Sequence, residues 1–107
     1  MTGCEGGRPP VCPRYQHAAE LVGRRWTAAV IRVAMDGPVR FGEFRRCVSG
    51  LSARLLVERL RELETEGVVE RVAHPGPPPA VEYRLTPKGR ALAEVVRALE
   101  HWSSDWV

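Results

Sequence analysis

Two alternating runs in the second half of the chain restrict its fold most. Val68-Val69-Glu70-Arg71-Val72-Ala73 and Ala80-Val81-Glu82-Tyr83-Arg84-Leu85 each alternate apolar and polar residues, the period of a half-buried strand. The linking segment His74-Pro75-Gly76-Pro77-Pro78-Pro79 is stiff and short of amide donors, so it reads as a rigid hairpin tip and not as sheet. The flanking segments show helical spacing instead. The chain therefore reads as mainly α with one small antiparallel hairpin, an α+β class.

The first eleven residues hold three Gly and two Pro and read as a flexible arm, leaving 12–107 as one domain. Pro13 suits the first position of a helix over 13–22, with Tyr15, Ala18, Ala19, Leu21 and Val22 on its apolar side. Gly23 interrupts it. Trp26, Ala29, Val30, Val33 and Ala34 mark a second helix over 25–35, which Asp36-Gly37-Pro38 ends. Val39-Arg40-Phe41 reads as a very short strand. A third helix over 42–48 buries Phe41, Phe44 and Val48. After the turn Ser49-Gly50-Leu51, Ser52 is a natural N-cap for a helix over 52–66, closed by Gly67. Helix, short Gly-containing turn, helix is the helix-turn-helix pattern. Thr86 and Pro87 open a last helix whose apolar stripe is Leu92, Val95, Val96, Leu99, Trp102 and Trp106.

Charge is unevenly placed. Residues 14–61 carry ten Arg against four acids, a net +6, and residues 62–107 carry five basic against eight acidic residues, a net −3. A concentrated basic field favours a polyanion such as nucleic acid. The longest apolar run, Ala28-Ala29-Val30-Ile31, is far short of the roughly 20 residues that span a membrane, so no membrane partner is expected. No basic-then-apolar leader opens the chain. Cys4, Cys12 and Cys47 are an odd set without a CxxC pair, and His17, His74 and His101 are scattered. A disulfide framework, a metal site and a cofactor are therefore not expected, and the reducing cytoplasm is. There is no phosphate-cradling Gly loop, nucleophile motif or cluster of acids and histidines. Cys12 and His17, five residues apart, do not share a helix face. The reading is not an enzyme.

Helix-turn-helix followed by a hairpin is the winged helix arrangement, and particular residues go further. Cys12-Pro13, Gly23-Arg24-Arg25-Trp26-Thr27, Asp36-Gly37-Pro38-Val39-Arg40-Phe41, Gly50-Leu51-Ser52, Arg59-Leu60-Arg61-Glu62-Leu63-Glu64, Gly67-Val68-Val69-Glu70-Arg71 and, most closely, Val81-Glu82-Tyr83-Arg84-Leu85-Thr86-Pro87-Lys88-Gly89 resemble the HxlR family of bacterial transcriptional regulators, distant relatives of the MarR regulators. The resemblance covers about residues 12–106. It implies a dimeric winged helix protein that binds operator DNA near promoters, as a repressor or an activator. The chain departs from the family at Gly42, where Ser or Thr is frequent, at Ala53-Arg54, where Pro-Lys is, and at Val57-Glu58, where Thr-Gln is. The last two changes fall on the expected base-reading surface, so the family's operators are a poor guide to this chain's own.

On the 52–66 helix, Leu56, Leu60 and Leu63 share one side, while Arg54, Val57, Glu58 and Arg61 project from the other and should face the major groove with Ser52 and Ala53. Arg54 suits guanine O6 and N7, or a phosphate. Glu58 suits cytosine N4, or else pairs with Arg54. Val57 suits a thymine methyl, and Ser52 a cap, a phosphate or both. Arg59 lies near the apolar side and reads as structural. Arg40, Arg45 and Arg46 are candidates for phosphate. Arg71 and Arg84 on the hairpin are candidates too, with pairing to Glu70 and Glu82 the equal alternative. The expected partner is an inverted-repeat double-stranded DNA. The other reading, a winged helix serving only protein contacts, is opposed by the +6 centre.

Cys12 precedes Pro13 at a helix start, where the helix dipole and Arg14 favour a thiolate. The resemblance implies a candidate oxidant or electrophile sensor, with Cys4 as resolving thiol; a small residue packed against a dimer partner is the alternative. Cys47 is expected to be buried. Tyr15, Ala18, Ala19 and Val22 on the first helix, with Val95, Leu99, Trp102 and Trp106 on the last, exceed what one small domain can cover and are expected to form a homodimer interface.

Overall fold

The computed structural model describes residues 7–107. Its elements are α1 (Pro13–Gly23), α2 (Thr27–Ala34), β1 (Val39–Arg40), α3 (Phe41–Cys47), α4 (Ala53–Thr65), β2 (Val69–His74), β3 (Ala80–Leu85) and α5 (Pro87–Trp106). Residues 1–6, with Cys4 and most of the proposed arm, lie outside the described residues.

The helix ends follow from local chemistry. Ser52 Oγ accepts from the Leu55 amide at 3.1 Å and so caps α4. Thr86 Oγ1 accepts from the Gly89 amide at 3.0 Å and caps α5, with Pro87 at its first position. The α4–β2 corner turns at Gly67, whose φ of 74° suits a residue without Cβ. There Val68 N donates to Leu63 O at 2.8 Å, satisfying a carbonyl at the helix end.

Leu56, Leu60 and Leu63 of α4 are buried as their spacing predicts, and they join a core with Val30 and Ile31 of α2, Phe44 of α3, Val68 just before the sheet, and Val69 and Leu85 within it. Each fully buried side chain of this size contributes about 1.5–3 kcal/mol relative to exposure. The second helix begins at Thr27, two residues later than expected. Trp26 is its N-cap, in the left-handed region at φ 78°. The inward positions of α2 are Thr27, Val30, Ile31 and Ala34, while Ala29 and Val33 are only half-buried. The run Ala28–Ala34 is apolar nearly all round, so the packing of α4 and α5, and not the pattern, selects its inner face.

The sheet has three strands in the order β1-β3-β2, all antiparallel. Phe41 opens α3 instead of ending β1, and Phe41 and Val48 are half-buried beside a fully buried Phe44. In the hairpin Val69 stands opposite Leu85, Glu70 opposite Arg84 and Arg71 opposite Tyr83. With side chains alternating between faces, Val69, Arg71, Tyr83 and Leu85 share the face toward the core, and Glu70, Glu82 and Arg84 the face away from it.

Candidate nucleic-acid interface

α4 presents three sides. The leucine side is buried. A second side turns toward α1, where Arg59 donates through Nε to Arg25 O at 2.8 Å and through Nη1 to Glu62 at 2.8 Å, and Arg24 also pairs with Glu62. His17 meets Glu66 at 2.8 Å. Arg59 is thus a structural residue, as its place near the apolar side predicts. Glu62, which joins two arginines from different parts of the chain, had no signal in the sequence, because Arg24 and Glu62 are 38 residues apart.

The third side is open to solvent and carries Arg54, Glu58 and Arg61, with Ser52 and Ala53 exposed at its start. The Arg54 side chain is 89% exposed, and Glu58 stands 4.0 Å away, a loose contact that leaves the guanidinium free to turn outward. Val57 is half-buried at the border with the hairpin, less projecting than expected.

The neighbouring basic residues fall into two groups. Arg40 and Arg46 are exposed, Arg40 at the start of α3, where its backbone amide donates to Glu43 at 3.0 Å. Arg45 is partly committed, since Nε donates to Leu51 O at 3.3 Å across the α3–α4 turn. That turn is packed by Trp26: a Cβ on Gly50 would stand 3.3 Å from its ring, and Gly50 has φ 87°. Arg25 lies over the same ring at 4.8 Å. On the hairpin, Arg84 pairs with Glu70 at 2.5 Å, which is the pairing alternative. Arg71 lies on the other face, toward α4. At the tip His74 pairs with Glu82 at 2.7 Å.

Cys12 is the exposed N-cap residue of α1. Its thiol makes no formed cap bond, yet the free amides of Tyr15 and Arg14, and then the Arg14 guanidinium, favour the thiolate and lower its pKa below the ordinary value. Cys47 is exposed too, against expectation: it is the last residue of the short α3, and the C-cap residue Val48 packs inward after Phe44 in its stead.

α1 buries no residue of its own, and Tyr15 is exposed with Ala18 and Ala19, while Val22 is half-buried. α5 buries Gly89, Ala93 and Val96. Arg32 of α2 grips Glu100 at 2.9 Å, and past that point every residue of the helix is exposed among the described residues. Val95 and Leu99 are exposed, as are Trp102 and Trp106, at 56% and 75%. Among the described residues no group of His, Cys, Asp or Glu could hold a metal ion, and no helix is long and apolar enough to cross a membrane.

Comparison with known proteins supplies the context. The model of a family described as "HxlR-like helix-turn-helix" matches residues 21–107. A Bacillus subtilis protein described as an uncharacterised HTH-type transcriptional regulator, YvaP, is 40% identical over 97 residues, covering 91% of this chain and 90% of its own. The HTH-type transcriptional regulator YodB of the same organism is 41% identical over 96 residues, 90% of this chain and 86% of its own. The structure of reduced YodB superposes with a TM-score of 0.80 over 91% of this chain and 95% of that one, and YodB structures also exist in diamide-treated and quinone-bound forms. The oxidised form of the redox regulator HypR, 36% identical, superposes with a TM-score of 0.83 over 88% of this chain and 96% of that one. These relatives are transcriptional regulators, not enzymes.

Proposed function

Because this chain belongs to the HxlR-like helix-turn-helix family, we propose that it is a homodimeric regulator whose α4 enters the major groove of operator DNA. One observation carries this reading: on a helix whose leucines are locked in the core, Arg54, Glu58 and Arg61 form a continuous solvent-facing stripe. Arg54 reads a base edge, with Glu58 and Val57 beside it and Ser52 and Ala53 at the groove floor. Arg40, Arg45 and Arg46 hold backbone phosphates and so set the register without reading sequence.

The uncovered strips on α1 and α5 support a twofold interface. Pairing Tyr15, Ala18, Ala19 and Val22 with Val95, Leu99, Trp102 and Trp106 of a second copy removes both from water and presents two α4 helices about 34 Å apart, one turn of DNA. Selection of bound duplexes from a random pool by the purified protein tests the whole reading. An enriched inverted repeat is expected; a pool that stays random is the contrary result.

The thiol gives the regulator its input in this proposal. Its support is the thiolate-favouring position of Cys12 together with one relative, YodB, whose structures are of reduced, diamide-treated and quinone-bound forms. The Cys12 thiolate adds to an electrophile such as a quinone. With peroxide it becomes a sulfenic acid, which a second thiol, Cys4 of either subunit, converts to a disulfide with loss of water.

A further inference from the structure

The two hairpin arginines are equivalent in the sequence and opposite in the structure. Arg84 looks away from α4 and is neutralised by Glu70 at 2.5 Å. Arg71 is on the face toward α4, opposite Tyr83, and among the described residues its side chain forms no ion pair or hydrogen bond. With Val57, Leu60, Arg61, Glu64 and Tyr83 it lines an open cleft of about 370 Å³ between α4 and the hairpin. Arg61, the last arginine of the exposed stripe, is likewise unpaired among the described residues.

Two guanidinium groups bordering one cleft repel unless an anion comes between them. Glu64 lines the same cleft but stands within ion-pair distance of neither. Two positive charges against one negative leave the cleft a net attraction for an anion. Its lining is held by the core: Leu60 is buried, and the Tyr83 ring stands edge-on to Phe44 with centroids 6.2 Å apart. The cleft is open to solvent, and it adjoins the stripe that faces the groove. When a helix lies in the major groove, a sugar–phosphate strand runs along each of its flanks, and this cleft lies on the hairpin flank of α4.

We infer that one backbone phosphate of the bound duplex sits in this cleft, shared by Arg61 and Arg71, and that Arg84 takes no part. The inference rests on the reading that α4 enters the major groove. It assigns the hairpin a task in fixing the angle of α4, since a phosphate gripped from both sides ties the helix and the wing to one strand.

The test measures binding of the full chain to two probes, a duplex enriched from a random pool and a scrambled duplex of equal length, as a function of salt. Arg61→Ala and Arg71→Ala should each weaken both probes about fivefold or more, by the same factor on each, because a phosphate contact carries no sequence information. Each single variant leaves one arginine on the phosphate, so the salt slope stays near that of the unmodified chain. The double variant, which alone leaves the phosphate without a partner, should lose more than the product of the single losses and lower the slope by about 0.9, the share of one phosphate. Arg84→Ala should bind within twofold of the unmodified chain. The inference is overturned if Arg71→Ala binds like the unmodified chain. It is also overturned if the two losses multiply with a slope change near 1.8, which means two separate phosphates, or if Arg84→Ala matches Arg71→Ala. If the unmodified chain itself shows no salt-dependent binding to either duplex, the DNA-binding reading fails first and this one with it. Circular dichroism of each variant confirms that these surface changes leave the fold intact.

Discussion

Two helical glycines allow the same substitution to be predicted with opposite signs. Gly42 lies in the first turn of α3, and a Cβ there would stand 3.5 Å from Arg46 Nη1, the end of a flexible side chain. Gly42→Ala therefore gains helix propensity without a clash and should stabilise the protein by about 0.5–1 kcal/mol. Gly89 lies in the first turn of α5, and its Cβ would fall 2.0 Å from Val68 O and 3.2 Å from Leu85 Cδ2. The helix must retreat by more than about 1 Å to reach an ordinary carbon–oxygen contact. That carbonyl is an anchor of the α5 start: it accepts from Thr86 N at 3.0 Å, while the one hydroxyl proton of Thr86 goes to the nearer Gly67 O at 2.5 Å. Losing the amide bond costs about 1 kcal/mol, and forcing α5 off the sheet adds about 1–3 kcal/mol. Against a propensity gain of up to about 1 kcal/mol, Gly89→Ala should destabilise by about 1–3 kcal/mol. For a chain of this length that lowers Tm by about 4–12 °C. Thermal melts followed by circular dichroism, at one fixed protomer concentration because self-association moves Tm, check both. A Gly89→Ala protein melting at or above the unmodified Tm would refute the packing argument, and a Gly42→Ala protein that loses stability would refute the claim that its site is open.

Three further outcomes follow from the proposed function. Arg54→Ala should cost about 1–3 kcal/mol in operator affinity and relax specificity at one position of each half-site; unchanged affinity and specificity in a folded variant would remove Arg54 from the base-reading surface. Because the Cys12 pKa is lowered, its thiolate persists as pH falls below the ordinary thiol range. In a Cys4→Ser, Cys47→Ser background, which leaves Cys12 as the single thiol, alkylation should reach half its maximal rate at a lower pH than that of a cysteine in an unstructured peptide. Cys12→Ser should abolish any change of operator affinity caused by peroxide or quinone, and a response that survives it would exclude Cys12 as the sensor. Trp102→Ala should weaken the dimer by about 2 kcal/mol, roughly 30-fold in Kd, and truncation before His101 should weaken it further. Sedimentation showing both as dimers at low micromolar concentration would place the interface elsewhere.

The helical frame was readable because its signals are local. Ser52 and Thr86 cap, Pro13 and Pro87 start helices, and Leu56, Leu60 and Leu63 repeat at the helical period. The errors fall where no local signal decides. The second helix could not be oriented, since Val30-Ile31 and Ala29-Val33 are equally apolar and only the docked α4 and α5 distinguish them. β1 was expected at Val39-Arg40-Phe41 and ends one residue sooner, since so short a strand has no alternation to count, and Cys47 looked like a core residue because cysteine usually is one. The excess apolar surface on α5 was legible from composition alone, and the structure adds where coverage ends, at the Arg32–Glu100 pair.

The site was legible as far as single elements go. Helical geometry assigns Arg54, Glu58 and Arg61 to one side of α4 without knowledge of the fold and puts Arg59 near the apolar side, whereas the link from Glu62 to Arg24 exists only once α1 and α4 are brought together. The hairpin is different, because whether Arg71 or Arg84 faces α4 depends on register, and a slip of one residue exchanges the faces of a whole strand. Short hairpin loops fix register through recognisable turn residues. The six-residue His74–Pro79 segment, with four prolines, carries no such signature. Register is set instead at the base of the hairpin, where Val69 and Leu85 are both buried and opposite one another. Once that pair is fixed, Arg84 must stand opposite Glu70 on the outer face and Arg71 opposite Tyr83 on the inner one. Among the described residues the hairpin therefore leaves Arg71 unpaired on the face toward α4, while Arg84 on the neighbouring strand is engaged in an ion pair with Glu70.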